Sequence, residues 1–253
     1  MKCYRCRSPL GAGKVCLHCG ADVSVYKKIV RISNSYYNKG LEKARAHDLT
    51  DAAEYLNRSL HFDKYNTAAR NLLGLICFET GEFVDGMCQW VISVNLQPED
   101  NPAARYLETV QTDKKGLERC NQAVRKYNQS LDYARHDHDD IAILQLKRVV
   151  LQQPHYIKAH QLLALLYLRN DEYSHAAKLL KHILQIDRGN LFALHFSKKT
   201  GSRADREARE REKEKERLEQ QIREAEGEEA IVPAVHERSG PARTLIGIAA
   251  GFT

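Results

Sequence analysis

Between Thr67 and Asp100 apolar residues return with a helical period, stop, and return again. Leu72, Leu73, Ile76 and Cys77 share one face, Gly81 interrupts, and Val84, Met87, Trp90, Val91 and Val94 form a second stripe that Pro98 closes. Two helical stripes separated by a glycine predict a helix, a tight turn and an antiparallel helix. Such a pair exposes apolar surface on two sides and cannot bury it alone. Strand-like alternation is not seen along the chain and prolines number six, so the pattern predicts an all-α body.

The same frame falls on other stretches. Ser33–Asn66 carries Gly40, Ala52, Leu56, Ser59 and Lys64 at the places held by Gly74, Gly86, Trp90, Ser93 and Pro98 in Thr67–Asp100. Ala123–Tyr156 carries Ser130, Tyr133, Ala142, Leu146, Val149 and Pro154, and Ile157–Asn190 carries Leu163, Ala164, Tyr167, Ala176, Leu180 and Ile183. These positions resemble the tetratricopeptide repeat, a helix pair of about 34 residues that stacks into a solenoid. The small residue at Gly86 matches the place where the family's two helices cross closely. A second similarity joins the halves: Tyr37-Asn38, Leu41 and Ala44-Arg45 recur 90 residues later as Tyr127-Asn128, Leu131 and Ala134-Arg135. Residues 33–100 and 123–190 therefore read as duplicated blocks, offset or bent against each other by what lies between.

The frame sets the expected boundaries. Residues 1–22 form a cysteine-rich module, and 23–100 hold a leading helix with two repeats. A spacer helix follows over 101–122, then two further repeats and a capping helix over 123–200. A charged helical stalk covers 201–230 and a tail 231–253. The leading helix is expected over Val23–Arg45, with Val25, Ile29, Ile32, Tyr36 and Tyr37 as its apolar stripe. In the stalk, Asp205–Arg209, Glu207–Arg211 and Glu219–Arg223 stand four apart in the favourable order. Leu218 and Ile222 are too few for a coiled-coil seam.

The resemblance also implies a function. The family's first helices line a concave face that binds peptides or partner helices. Carried over by frame, that face holds Tyr37, Leu41 and Arg45; Asn71, Leu75 and Phe78; Tyr127, Leu131 and Arg135; Gln161, Leu165 and Arg169; and His195. The expectation is a non-enzymatic scaffold for a protein or peptide partner. The family's carboxylate-binding version needs several Lys and Asn residues, of which only Asn38 and Asn128 are suggestive. No nucleophile triad, phosphate loop or nucleotide fingerprint can be placed. The turn His136-Asp137-His138-Asp139-Asp140 reads as a helix start rather than a metal site.

Candidate chemistry sits at the other end of the chain. Cys3, Cys6, Cys16 and Cys19 form two Cys-x2-Cys turns around a nine-residue spacer. Each turn can offer two thiolates to one ion, and four close a tetrahedron with no open position, so the expected cofactor is structural Zn²⁺. A module this short has no apolar core, and metal binding must supply its folding energy. The other three of the seven cysteines, Cys77, Cys88 and Cys120, are scattered in helical sequence, as in a reducing, cytoplasmic setting. The net charge of +6 is concentrated in residues 1–31, where seven cations face Asp22 alone. The cysteine segment, residues 3–19, is similar to short zinc ribbons; its basic charge raises nucleic acid as a second class of partner, although base-reading signatures are missing. Leu245–Phe252 is apolar and follows Arg243. It is expected to begin a transmembrane helix in a longer chain, with the N-terminal region on the inner face of the membrane.

Overall fold

The computed structural model describes residues 1–229. They fall into two units, Met1–Ala208 and the part that begins at Arg209. The ten helices are α1 (Ser24–Arg45), α2 (Leu49–Phe62), α3 (Thr67–Glu79), α4 (Phe83–Leu96), α5 (Pro102–Thr112), α6 (Lys114–Arg135), α7 (Asp139–Gln152), α8 (Ile157–Arg169), α9 (Tyr173–Ile186) and α10 (Leu191–Glu229). Ahead of them, two isolated antiparallel bridges, Lys2 with Pro9 and Val15 with Asp22, are the extended pairing of the N-terminal module.

The helices form serial antiparallel pairs: α1 with α2, α3 with α4, α6 with α7, and α8 with α9. Starts of α2 and α4 are 34 residues apart, and so are those of α7 and α9. The bounds of α6 to α9 repeat those of α1 to α4 with a shift of 90 residues. The fold is an all-α solenoid of tetratricopeptide type, built from two copies of one block. Residues 101–122, expected as one spacer helix, hold α5 and the first turns of α6. The leading helix therefore has its own counterpart in the second block.

Small residues set the helix crossings. Ala52, Gly86, Ala142 and Ala176 share one frame position and are buried, as are Gly40, Gly74, Ser130 and Ala164 at another. A methyl group on Gly86 would stand 2.8 Å from the Gly74 carbonyl oxygen, so only glycine allows that approach. Leu56, Trp90, Leu146 and Leu180 then fill the space beside each crossing. The stripe expected on α1 is partly corrected by this packing. Val25 and Ile32 are exposed, at 65% and 41%, while Ser33 and Gly40 are buried. The helix turns its small face to α2, and Ser33 Oγ meets Ser59 Oγ at 2.9 Å. On α4, Val84 and Val91 are likewise exposed.

All four turns inside the pairs put one residue in the left-handed region at the same frame position: His47, Gly81, Asp137 and Asp171. Three of them tolerate a side chain there. Gly81, at φ 88°, does not, because a Cβ would lie 2.5 Å from Tyr156 Cδ2.

That contact belongs to the joint between the blocks. Loops of the second block pack against turns of the first. Ile157 N donates to the Thr80 carbonyl (3.1 Å), and Arg188 N donates to that of His47 (2.8 Å). Asp187 is 2% exposed. It accepts from Leu49 N (2.8 Å), Thr50 N (3.2 Å) and Thr50 Oγ1 (2.6 Å) at the start of α2. Gly189 N and Asn190 Nδ2 complete its shell. A carboxylate at a helix N-terminus meets free N–H groups and the positive end of the helix dipole. Lys158–Glu82 (2.7 Å) and His155–Glu79 (2.5 Å) add ion pairs at the rim of the joint.

In the second unit, Lys215–Glu219 and Arg223–Glu219 are ion pairs one turn apart. No helix among the described residues is long and apolar enough to cross a membrane. The segment expected to start a membrane span, Leu245–Phe252, lies outside the described residues.

Two stability measurements check this packing. Asp187→Ala leaves buried N–H donors of α2 without a partner and should cost about 2–3 kcal/mol in denaturant unfolding. Asp187→Asn, which keeps an acceptor, should cost less. His160 is buried, and burial pushes its imidazole down to about 4 despite the Tyr156 carbonyl at 2.9 Å. The unfolded chain then binds the extra proton first. Stability should fall as pH drops from about 6.5 to about 4, by about 3 kcal/mol in total. His160→Phe should remove that share of the decline.

Candidate metal centre and partner groove

The N-terminal module is two knuckles related by a shift of 13 residues. Arg7 N donates to the Cys3 carbonyl and Gly20 N to that of Cys16, both at 2.9 Å. Cys3 N donates to Ser8 O, and Cys16 N to Ala21 O. Arg7 and Gly20 both take positive φ, 60° and 71°, to reverse the chain after the second cysteine of each pair. In the second knuckle glycine takes that conformation without strain; in the first, arginine bears it.

These turns bring four sulfurs together. Cys3 Sγ lies 3.7 Å from Cys19 Sγ, and Cys6 Sγ lies 3.6 Å from Cys16 Sγ. All four lie within 4.8 Å of one another, and Cys3 and Cys16 are buried. Val23 closes the cluster from below at 0% exposure. Among the described residues this is the one group of metal-ligating side chains so arranged. Ionisation is shared unevenly. Hydrogen bonds from Ser8 hold Cys6 down to about 6. At Cys19 the Ala21 amide favours the thiolate, but desolvation and the neighbouring sulfurs push the thiol up to about 12. Four thiolates this close repel one another, and a bound cation relieves that repulsion. The donor set fits a metal ion.

The frame-derived partner residues do not all share one surface. Tyr37, Asn71 and Leu75 line a groove of about 360 Å³ along α1, α3 and α5, together with Leu72, Asn101 and Tyr106. Asn71 Nδ2 donates to Asn101 Oδ1 (2.8 Å), and Asn101 Oδ1 also caps α5 through Ala103 N. Asn71 Oδ1 is buried and has no hydrogen-bond partner. Leu41 is half-buried and Arg45 exposed further along α1. Phe78 points elsewhere: its ring meets Phe83 and Trp90, each at 5.3 Å, and lines a separate cavity with Val110, Leu117 and Cys120.

In the second block several of these side chains are already engaged. Tyr127 packs on Tyr156 at 5.2 Å, and burial raises its pKa. Gln161 Nε2 donates to Asn190 Oδ1 at the joint. Arg169 is held by Asp137, Asp139 and the Ala134 carbonyl, so the acidic turn neutralises its own arginine. Leu131 is half-buried, and Arg135 and His195 are exposed, His195 with its ring edge on Phe196. Tyr106 was missed by the frame reading, since α5 fell in the presumed spacer. Its signal was the start Asn101-Pro102, which matches the cap and first turn of another first helix.

No family model matches the chain, and no curated protein matches it. Solved structures do. Cut9 in its APC/C complex with Hcn1 is 19% identical, over 70% of this chain and 32% of that one, at TM-score 0.30. This chain thus spans about a third of that relative. YrrB, a TPR protein with an unusual peptide-binding site, is 16% identical over 70% and 97%, at 0.30. MamA from Desulfovibrio magneticus is 18% identical over 63% and 97%, at 0.29. Superpositions this loose add nothing to the helix register, which stands on the chain's own geometry.

If the sulfur cluster holds one ion, purified protein should carry one equivalent of divalent metal by elemental analysis. Cys6→Ser should lose at least most of it, while Cys88→Ser and Cys120→Ser should keep it.

Proposed function

We propose that this protein is a non-enzymatic interaction scaffold whose first-block groove holds an extended protein segment, with a structural zinc ribbon fixed to its leading helix. The observation that carries the groove is its lining, where Tyr37, Leu75 and Tyr106 stand beside the amide pair Asn71 and Asn101. The tyrosines give large contact area with few torsions to fix, which suits recognition.

Zinc is supported by the donor set and its spacing. A tetrahedron with Zn–S bonds of about 2.3 Å has sulfurs about 3.8 Å apart, close to the 3.6 and 3.7 Å pairs here. Four thiolates around one ion leave no position for water or substrate, so the metal's work is folding.

Affinity capture by the intact chain, beside a Tyr37→Ala/Tyr106→Ala variant, tests the groove. Partners held there should drop about tenfold or more in recovery, with both proteins shown to be folded by their helical circular dichroism. Equal recovery from both proteins would sink the groove reading.

A further inference from the structure

The two knuckles of the ribbon present equivalent outer positions, Tyr4 in the first and Leu17 in the second. The structure uses them differently. Tyr4 lies against Tyr26 of α1, ring centroids 5.7 Å apart, and its hydroxyl reaches the Asp22 carbonyl at 3.5 Å. Lys27 fastens the same helix to the carbonyls of Gly11 and Gly13. Tyr4 is thus seated edge-on against α1 and stays 59% exposed. Leu17 is 95% exposed, on a turn held at both ends by the cysteine cluster, with Val15 and Met1 about half exposed. A rigid aliphatic tip of that kind gains from burial and has none within the chain.

The positive charge of the ribbon and of the start of α1 is equally unspent. Lys2, Arg5, Arg7, Lys14, Lys28 and Arg31 are exposed and form no salt bridge among the described residues. Asp22, the one acid of residues 1–31, is turned to Ser24 N at 2.8 Å. Unpaired cations therefore lie on the ribbon itself, at Lys2, Arg5, Arg7 and Lys14, and on the first turns of α1, at Lys28 and Arg31.

We propose that the Leu17 face of the ribbon is a docking surface for an acidic protein segment bearing a leucine or similar aliphatic side chain. It rests on the zinc-bound ribbon proposed above, because metal must fold the module. Charge complementarity selects the acidic partner and steers its approach. The aliphatic tip sets the class of macromolecule. Single-stranded nucleic acid is held by several aromatic rings that stack on successive bases, and Tyr4 is the one Phe, Tyr or Trp of residues 1–22. A bilayer asks for more apolar surface than Leu17, Val15 and Met1 offer, since a whole acyl chain alone gives only marginal anchoring. A leucine on an acidic segment matches both the size and the charge of the site.

Fluorescence anisotropy with the full, zinc-loaded chain tests this. The probes are a labelled peptide of glutamates and leucines, the same peptide with serine for leucine, a short single-stranded RNA, and vesicles of phosphatidylglycerol and phosphatidylcholine. The leucine peptide should bind best. Leu17→Ser and Leu17→Lys should each weaken it about tenfold and erase the preference over the serine peptide. Arg5→Glu with Lys14→Glu should weaken it and flatten its salt dependence. Equal binding of the two peptides, indifference to Leu17, or tighter binding of RNA or vesicles would overturn the proposal. Metal content is measured for each protein. A wild-type chain without zinc would count against the ribbon reading, whereas a zinc-loaded chain that ignores the leucine peptide would count against docking alone.

Discussion

One buried carboxylate decides how the two halves of this molecule meet. Asp187 closes the last repeat, yet its oxygens are filled by the first turn of α2, far away in sequence. Burying an ion away from water is costly unless donors replace the lost hydration. Here five N–H or O–H groups from two chain segments do so. Any shift of one block against the other would strip donors from the carboxylate and caps from α2 together. The Thr80–Ile157 backbone bond and the Gly81–Tyr156 contact fall on the same line and leave little room for sliding. The groove on α1, α3 and α5 is thus borne by a first block that the second holds from behind its turns.

Much of this could be read from the residues. Pair spacing shows in sequence because small residues at helix crossings and large ones beside them recur at fixed intervals. Gly74, Gly86 and Trp90 announce a close crossing wherever they stand. The cysteine cluster was equally plain, since four thiols at that spacing have few other uses. The joint was not. Asp187 looks like any aspartate ending a helix, and only folding shows that it caps a helix in the other block. Surface positions were hard for a related reason. Frame assigns a face, but neighbours decide occupancy, so Arg169 was lost to Asp137 and Asp139 while Tyr106 was gained from α5. Val25 and Ile32 misled because an apolar stripe signals burial only when something lies over it; Gly40, which the repeat frame already held, and Ser33 marked the true contact.

α1 links the two candidate sites. Its first turns carry Tyr26 and Lys27, which seat the ribbon, and its middle carries Tyr37, which lines the groove. A continuous helix of 22 residues makes one stiff bar of these turns. The sulfur cluster and the groove therefore keep a fixed separation along one helix.

Trp90 is the chain's single tryptophan. Its indole N–H is bonded to the Asn71 carbonyl, and its ring touches Phe78 and Tyr106. It stands one residue's width behind the groove wall and entirely inside the first block. The protein consequently owns a built-in optical gauge: emission excited at the red edge, where indole absorbs and phenol does not, comes from one half of the duplicated body alone.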